Sequence, residues 1–357
     1  MHLINEHIKS LPPKSPGPEK GDDAIRLDKG EFPYAPSLGV LKAIANSAVT
    51  INRYPAILGG SLRKSLAEYC GTKVEQIALG NGSDELIELI LKVFMKPGDE
   101  VLLPTPTFFV YGFSTQLLGG VPVVVKRTDN FGLDVTAILE KVTPKTKVLF
   151  VANPNNPTAN LIPRETIIEI CDRLHCIVVI DECYYEFCGE TVVDLVDKYP
   201  NLIVLRSLSK SFGLAGIRLG YAVANEEIVD YLGRTAQLFP VNKLALVAAN
   251  AALADLEYTR EHIDKILRDK VKLIEGLEDL GFLVYPSATN FLLVRTEKVG
   301  VSSGDLVKFL QQKKIFVADF GGKQGLDNYY FRTAVGTPEE NEGLLAGLKE
   351  AIARISN

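Results

Sequence analysis

The sequence predicts an α/β protein: a large domain with a mostly parallel sheet, joined to a smaller α+β domain. Three observations lead there. Between Val74 and Ala224, short β-branched runs alternate with stretches of helical period. Those runs are apolar on both parities, which suits strands covered on both faces. Beyond Leu280 the order changes to strand, strand, helix, strand, strand, helix. A length of 357 residues, at about 150 residues per domain, agrees with two domains.

Taken in order, the first forty residues are punctuated by prolines at 12, 13, 16, 18, 33 and 36, which predicts an extended arm ending near Pro36. A helix follows from about Ser37 to Ser47. A second follows Gly59-Gly60, with Leu62, Leu66 and Tyr69 on one stripe. The predicted strands of the large domain are Gln76–Leu79, Glu100–Leu103, Val121–Val125, Lys147–Val151, Ile177–Ile180, Leu202–Leu205 and Leu219–Val223. Asp84–Met95 and Arg164–Leu174 read as helices between them. One long helical region covers Asn242 to Leu280. The smaller domain then reads as strands Phe282–Tyr285 and Asn290–Arg295, helix Ser303–Lys313, strands Ile315–Val317 and Tyr329–Ala334, and helix Pro338–Ile355.

Composition excludes several classes. Hydrophobic residues at 46% and charged residues at 23% describe a soluble globular chain. A net charge of −5 disfavours nucleic acid as the main partner. No apolar run approaches the roughly 20 residues that span a bilayer, and Met1 to Ser10 hold no signal-peptide core. Five cysteines without a paired CxxC set read as mostly buried, reduced thiols, so a cytoplasmic location is expected. Four histidines, none at metal-ligand spacing, argue against a histidine-built metal site and a Ser-His-Asp triad.

In parallel α/β sheets ligands sit beyond the carboxyl ends of the strands, so the residues there carry the functional signal. Gly80-Asn81-Gly82-Ser83-Asp84-Glu85 opens a helix and suits an anion, although Ser83 or Asp84 could be a plain N-cap. Asn153-Pro154-Asn155-Asn156-Pro157-Thr158 would make a turn in any case. Asp181-Glu182-Cys183-Tyr184 ends an apolar strand with an acid, costly to bury unless it meets a cation. Ser207-Leu208-Ser209-Lys210 ends another, with Gly213, Gly216 and Arg218 following; Lys210 is either a surface lysine or an amine that forms a covalent bond to a carbonyl carbon. Together they ask for one ligand with a phosphate, a protonated ring nitrogen, a phenolic oxygen and an aldehyde. That ligand is pyridoxal 5′-phosphate.

The ordered stretches GNGSDE, PTPTF, NPNNPT, DECYYEF and SLSKSFGLAGIRLGY resemble the class I/II aminotransferases of fold type I, and within them the histidinol-phosphate aminotransferases, from Leu27 to the C-terminal FRTAVGTPEEN. The resemblance implies residues 1–45 as an N-terminal arm and part of the small domain, 46–250 as the large cofactor-binding domain, and 251–357 as the small C-terminal domain. It implies that Lys210 holds the cofactor covalently and shuttles the substrate proton, with Asp181 on the ring nitrogen and Asn156 and Tyr184 on the ring hydroxyl. Phe108 would stack on the ring; Gly82, Ser83, Asp84, Ser207, Ser209 and Arg218 would hold the phosphate. Tyr54 would reach the cofactor phosphate of a neighbouring subunit, so a homodimer with shared active sites is implied. Arg332 would clamp the substrate's acidic group, and Asn290 follows the small-domain pattern. The substrates implied are an amino donor and a 2-oxo acid such as 2-oxoglutarate. Aromatic or other amino-acid transamination, decarboxylation of a threonine-phosphate-like substrate, and a non-catalytic cofactor-binding regulator are the alternatives.

Four departures qualify that resemblance. Ala159 follows NPNNPT where the family usually has glycine, so the turn takes another φ or tolerates strain. Leu238-Phe239-Pro240-Val241-Asn242 and Lys29-Gly30-Glu31 replace familiar stretches. Most important, Ala318-Asp319-Phe320 stands where the histidinol-phosphate enzymes keep a second arginine, which disfavours a phosphate monoester unless Lys323 supplies the charge.

Overall fold

The computed structural model describes residues 3–13, 21 and 23–355. The arm is less extended than its prolines predict. Glu6–Lys9 makes one helical turn against the helix Phe109–Leu117, and Ile25–Arg26 (β1) forms a short strand. Pro16 and Pro18 lie outside the described residues. The Ser37 hydroxyl then accepts from Val40 N–H and starts the helix Leu38–Ala48; Gly60 precedes the helix Ser61–Cys70.

Seven strands build the large sheet: β2 Ile77–Gly80, β3 Glu100–Thr105, β4 Val121–Lys126, β5 Thr146–Ala152, β6 Ile177–Asp181, β7 Leu202–Ser207 and β8 Gly220–Ala224. Their order is β2-β8-β7-β6-β5-β3-β4. All pairs from β7 to β4 are parallel, whereas β8 runs antiparallel to both neighbours. The link from Ser207 to Gly220 carries one short 3-10 turn, Ala215–Ile217, and no crossover helix, so β8 returns antiparallel. The edge strand β4 departs from expectation: Val121 and Val124 are exposed and only Val125 is buried.

Side-chain parity sets the layers. Val178 and Ile180 of β6 pack in one core with Ile167, Ile170 and Ala249. Val179 joins Phe150, Leu205 and the helix Ser83–Phe94 residues Leu86, Ile87 and Ile90 on the other face. Asp181 shares the parity of Val179, so the apolar alternation of the strand aims its carboxylate at the layer that holds Tyr111.

The long helical region is two helices, Lys243–Leu253 and Leu256–Asp279. Asp255 leaves helical geometry and caps the second by accepting from Tyr258 N–H (3.4 Å). The C-terminal part adds β9 Leu283–Val284, β10 Phe291–Arg295, β11 Ile315–Phe316, β12 Ala318–Asp319 and β13 Tyr330–Ala334, with helices Ser303–Gln312 and Pro338–Ile355. Strands β12-β13-β10-β9 form an antiparallel sheet. The single strand predicted at Ile315–Val317 divides, because β11 pairs with β1 of the arm while β12 pairs with β13. Leu27 accordingly joins the core around Phe291 and Phe331, whereas Val40 belongs to the core of the large sheet. All five cysteines are free thiols, but only Cys171 is buried. Among the described residues no helix is long and apolar enough to cross a membrane.

Candidate active site

The carboxyl ends of β5, β6 and β7 and the wall formed by β12 and β13 enclose a cavity of about 480 Å³. Of the residues singled out above, Ser83, Asp84, Phe108, Asn156, Asp181, Tyr184, Ser207, Ser209, Lys210, Arg218 and Arg332 line it. Gly82 stands directly before Ser83. Tyr54 does not line it: the ring is 81% exposed and stacks on Phe239 with centroids 4.5 Å apart.

One end of the cavity is built for an anion. The helix Ser83–Phe94 starts from Gly82 at φ 82°, and no side chain caps it, so neither Ser83 nor Asp84 serves as a plain N-cap. Arg218, itself left-handed at φ 60°, brings Nη2 to 3.1 Å from Asp84 Oδ2. A Cβ on residue 82 would sit 2.7 Å from that same nitrogen and push the flexible arginine tip aside, but it is the positive φ that requires glycine. Ser207 Oγ accepts from Ser209 N–H (3.1 Å) and tightens the turn before Lys210. An uncapped helix start, serine hydroxyls and a guanidinium together suit a phosphate.

A buried acid lies deeper. Asp181 is 5% exposed; its Oδ2 accepts from the Tyr111 hydroxyl (2.6 Å) and its Oδ1 from Cys183 N–H (3.1 Å). Burial raises its proton affinity above the ordinary carboxylate value, and the Cys183 and Tyr111 hydrogen bonds pull the other way. A protonated ring nitrogen is the kind of partner such a carboxylate takes. Tyr184, buried and edge-on to Phe291 at 5.0 Å, has its phenol pushed up by burial.

The amine of Lys210 donates to the main-chain oxygen of Lys29 (2.8 Å). Burial, and after it the positive charge of Arg332, lower its pKa from 10.5 to about 8. Arg332 lies on β13, 7% exposed, donating through Nη1 to Asn156 Oδ1 (2.5 Å) and through Nη2 to the main-chain oxygen of Asp28. Its Nε is buried without an acceptor among the described residues. Asn156 thus faces Arg332 as well as the cavity. Asn290 is wholly buried and donates to the Gly30 carbonyl (3.2 Å), which ties the small sheet to the arm.

Ala159 answers the question raised by its sequence: it keeps a left-handed φ of 62°, fully buried, with its N–H on Asn155 O (2.8 Å). Sequence reasoning missed Tyr111, Thr107, Cys183 and Gln324, all of which line the cavity. For Tyr111 a signal existed, since it follows Phe108 by one helical turn. For Gln324 none did; its side chain accepts from Thr107 N–H (2.6 Å) across 217 residues of chain.

This donor set fits pyridoxal 5′-phosphate: the helix start and Arg218 could take the phosphate, Asp181 the ring nitrogen and Lys210 the aldehyde. The model of the aminotransferase class I and II family matches residues 22–348. The histidinol-phosphate aminotransferase of Thermoanaerobacter pseudethanolicus is 39% identical over 98% of this chain and 99% of its own. That of Roseiflexus castenholzii is 41% identical over 91% of this chain and 89% of its own. Among solved structures, histidinol-phosphate aminotransferase from Sinorhizobium meliloti in complex with pyridoxal-5′-phosphate superposes with a TM-score of 0.92, at 27% identity, covering 99% of each chain. The enzyme of the same description from Clostridium acetobutylicum gives 0.84, at 27% identity, over 92% of this chain and 98% of its own.

Proposed function

Because this chain belongs to the class I and II aminotransferases, we propose that it moves an amino group from histidinol phosphate to a 2-oxo acid such as 2-oxoglutarate. It is a pyridoxal-phosphate-dependent transaminase of the histidinol-phosphate aminotransferase type. The observation that carries the chemical reading is the meeting, in one cavity, of a lysine titrating near 8, a buried aspartate and an uncapped helix start.

Pyridoxal phosphate, when bound, supplies an aldehyde that captures the substrate amine and a ring that delocalises the electron pair left at the substrate Cα. The chain supplies the rest. Lys210 Nζ is the base that takes the Cα proton, and its lowered proton affinity leaves a usable fraction of free amine near neutrality. Asp181, steadied by Tyr111 and Cys183, would pair with the cofactor's ring nitrogen and keep a proton on it. Ser83, Ser207, Ser209 and Arg218 would hold the cofactor's phosphate, and Arg332 would receive the acidic group of the substrate. Tyr54, exposed beside Phe239, is read as the contribution of each subunit to its partner's site in a cytoplasmic homodimer.

The test is glutamate formation from histidinol phosphate and 2-oxoglutarate, run beside a panel of amino donors. Phenylalanine and tyrosine belong on that panel for a specific reason: Phe108, Phe109 and Phe320 line the cavity and offer an aromatic tail its contacts. Turnover with those donors and none with histidinol phosphate would replace the first reading by an aromatic aminotransferase. Carbon dioxide release from threonine phosphate without amino transfer would make it a decarboxylase.

A further inference from the structure

An aminotransferase admits two substrates in turn to one cavity, so one set of side chains must accommodate both tails. The tail end of this cavity is not held by an arginine on β12, where residue 318 is alanine. Two other charges line it instead. Lys323 Nζ donates to the main-chain oxygen of Asp319 (2.6 Å) and lies 3.7 Å from its Oδ2.

The surroundings of this pair are unequal. Asp319 is anchored: Oδ1 also accepts from Ser303 Oγ (2.7 Å) and from Gly321 N–H (2.9 Å). A Cβ on residue 321 would sit 2.4 Å from Ser303 Oγ, so the chain closes on Asp319 only with glycine there. The backbone around Lys323 is likewise pinned, by Gly322 N–H to Asp327 O (3.0 Å), by Leu326 N–H to Lys323 O (2.9 Å) and by the Gln324 contact to Thr107. The Lys323 side chain, in contrast, is 57% exposed and, among the described residues, held only through Asp319. Ion pairs of that exposure are weak and exchange readily, and a lysine ammonium on a four-carbon stem can follow a moving partner where a guanidinium fork cannot.

We propose that Lys323 and Asp319 form an adaptable subsite for the substrate tail, in which Lys323 leaves Asp319 for an anionic tail and stays paired when the tail is uncharged. The inference rests on the aminotransferase reading and names what its cavity recognises: a phosphate monoester, shared with Arg332, or a side-chain carboxylate, with neutral tails admitted at lower selectivity. The anion expected to repel a phosphate at position 319 is then a resting place for the cation that attracts it.

The test compares wild type, Lys323→Ala and Asp319→Asn, all loaded with cofactor. The substrate pairs differ in tail charge: histidinol phosphate against histidinol as donor, and 2-oxoglutarate against phenylpyruvate as acceptor. For Lys323→Ala, kcat/KM for the anionic member of each pair should fall about ten- to a hundredfold, mostly in KM, with the neutral member changed less than about threefold. For Asp319→Asn, the preference for the anionic member should be kept or should rise. Equal loss on both members of a pair, or no loss, in Lys323→Ala would overturn the inference while leaving the transaminase intact. A fall in anionic preference in Asp319→Asn, matching that of Lys323→Ala, would overturn the resting-place role. If wild type fails to use histidinol phosphate, the proposed donor is wrong, and the 2-oxoglutarate and phenylpyruvate pair still decides on Lys323.

Discussion

Covalent capture of the cofactor should report the proton affinity of Lys210. Burial, then the charge of Arg332, lower that amine from 10.5 to about 8, and only the unprotonated amine attacks an aldehyde carbon. At pH 7 an amine titrating near 8 is about one-tenth unprotonated, against about three parts in ten thousand at 10.5. The site therefore raises the reactive fraction by about 300-fold. The sign follows directly: the capture rate should climb about tenfold per pH unit below 8 and level off above it. The assay mixes cofactor-free protein with saturating pyridoxal phosphate across this range and follows the visible absorbance of the bound form. Borohydride then fixes the product, and the labelled peptide should contain Lys210. Arg332→Gln removes the second cause but not burial, so its midpoint should rise and remain below 10.5. A wild-type midpoint near 10, a midpoint that falls in Arg332→Gln, or a label on another lysine would refute the assignment.

Asp181→Asn should keep the cofactor far better than it keeps activity: one lost charge-assisted bond of about 1.5–3 kcal/mol weakens binding by about one to two decades, measured by equilibrium dialysis, while turnover falls much further. Near-normal turnover would show that the ring-nitrogen partner is misassigned. Tyr111→Phe removes the 2.6 Å donor to Asp181 and should weaken cofactor binding about ten- to a hundredfold with the fold unchanged by circular dichroism; unchanged affinity would mean that Cys183 N–H alone suffices. Mixing Tyr54→Phe with Lys210→Ala subunits should restore activity that neither parent has, because one hybrid site then carries both lesions and the other neither. No recovery in hybrids shown to form would count against a shared site.

Local periodicity made much of this molecule legible. Which face of a strand is apolar depends on consecutive residues, so all seven strands of the large sheet, and the acid at the end of β6 and the lysine shortly past β7, follow from the sequence alone. The helix Pro338–Ile355 is read to the residue because proline at its first position needs no N–H partner. The split helix at Asp255 and the divided strand at residues 315–319 escaped because each turns on a partner rather than on a period. So did the reversal of β8, the pairing of β1 with β11 and the contact of Tyr111 with Asp181. At Asp319 the sequence specified a charge but not its direction, and the tertiary structure decided that Ser303 and Lys323 would receive it. Apart from the cap at Asp255 and the Asp319–Lys323 pair, such contacts join residues far apart along the chain. They are selected by the packing of whole layers and by the need of each buried polar atom for a partner, and no local run of residues encodes either.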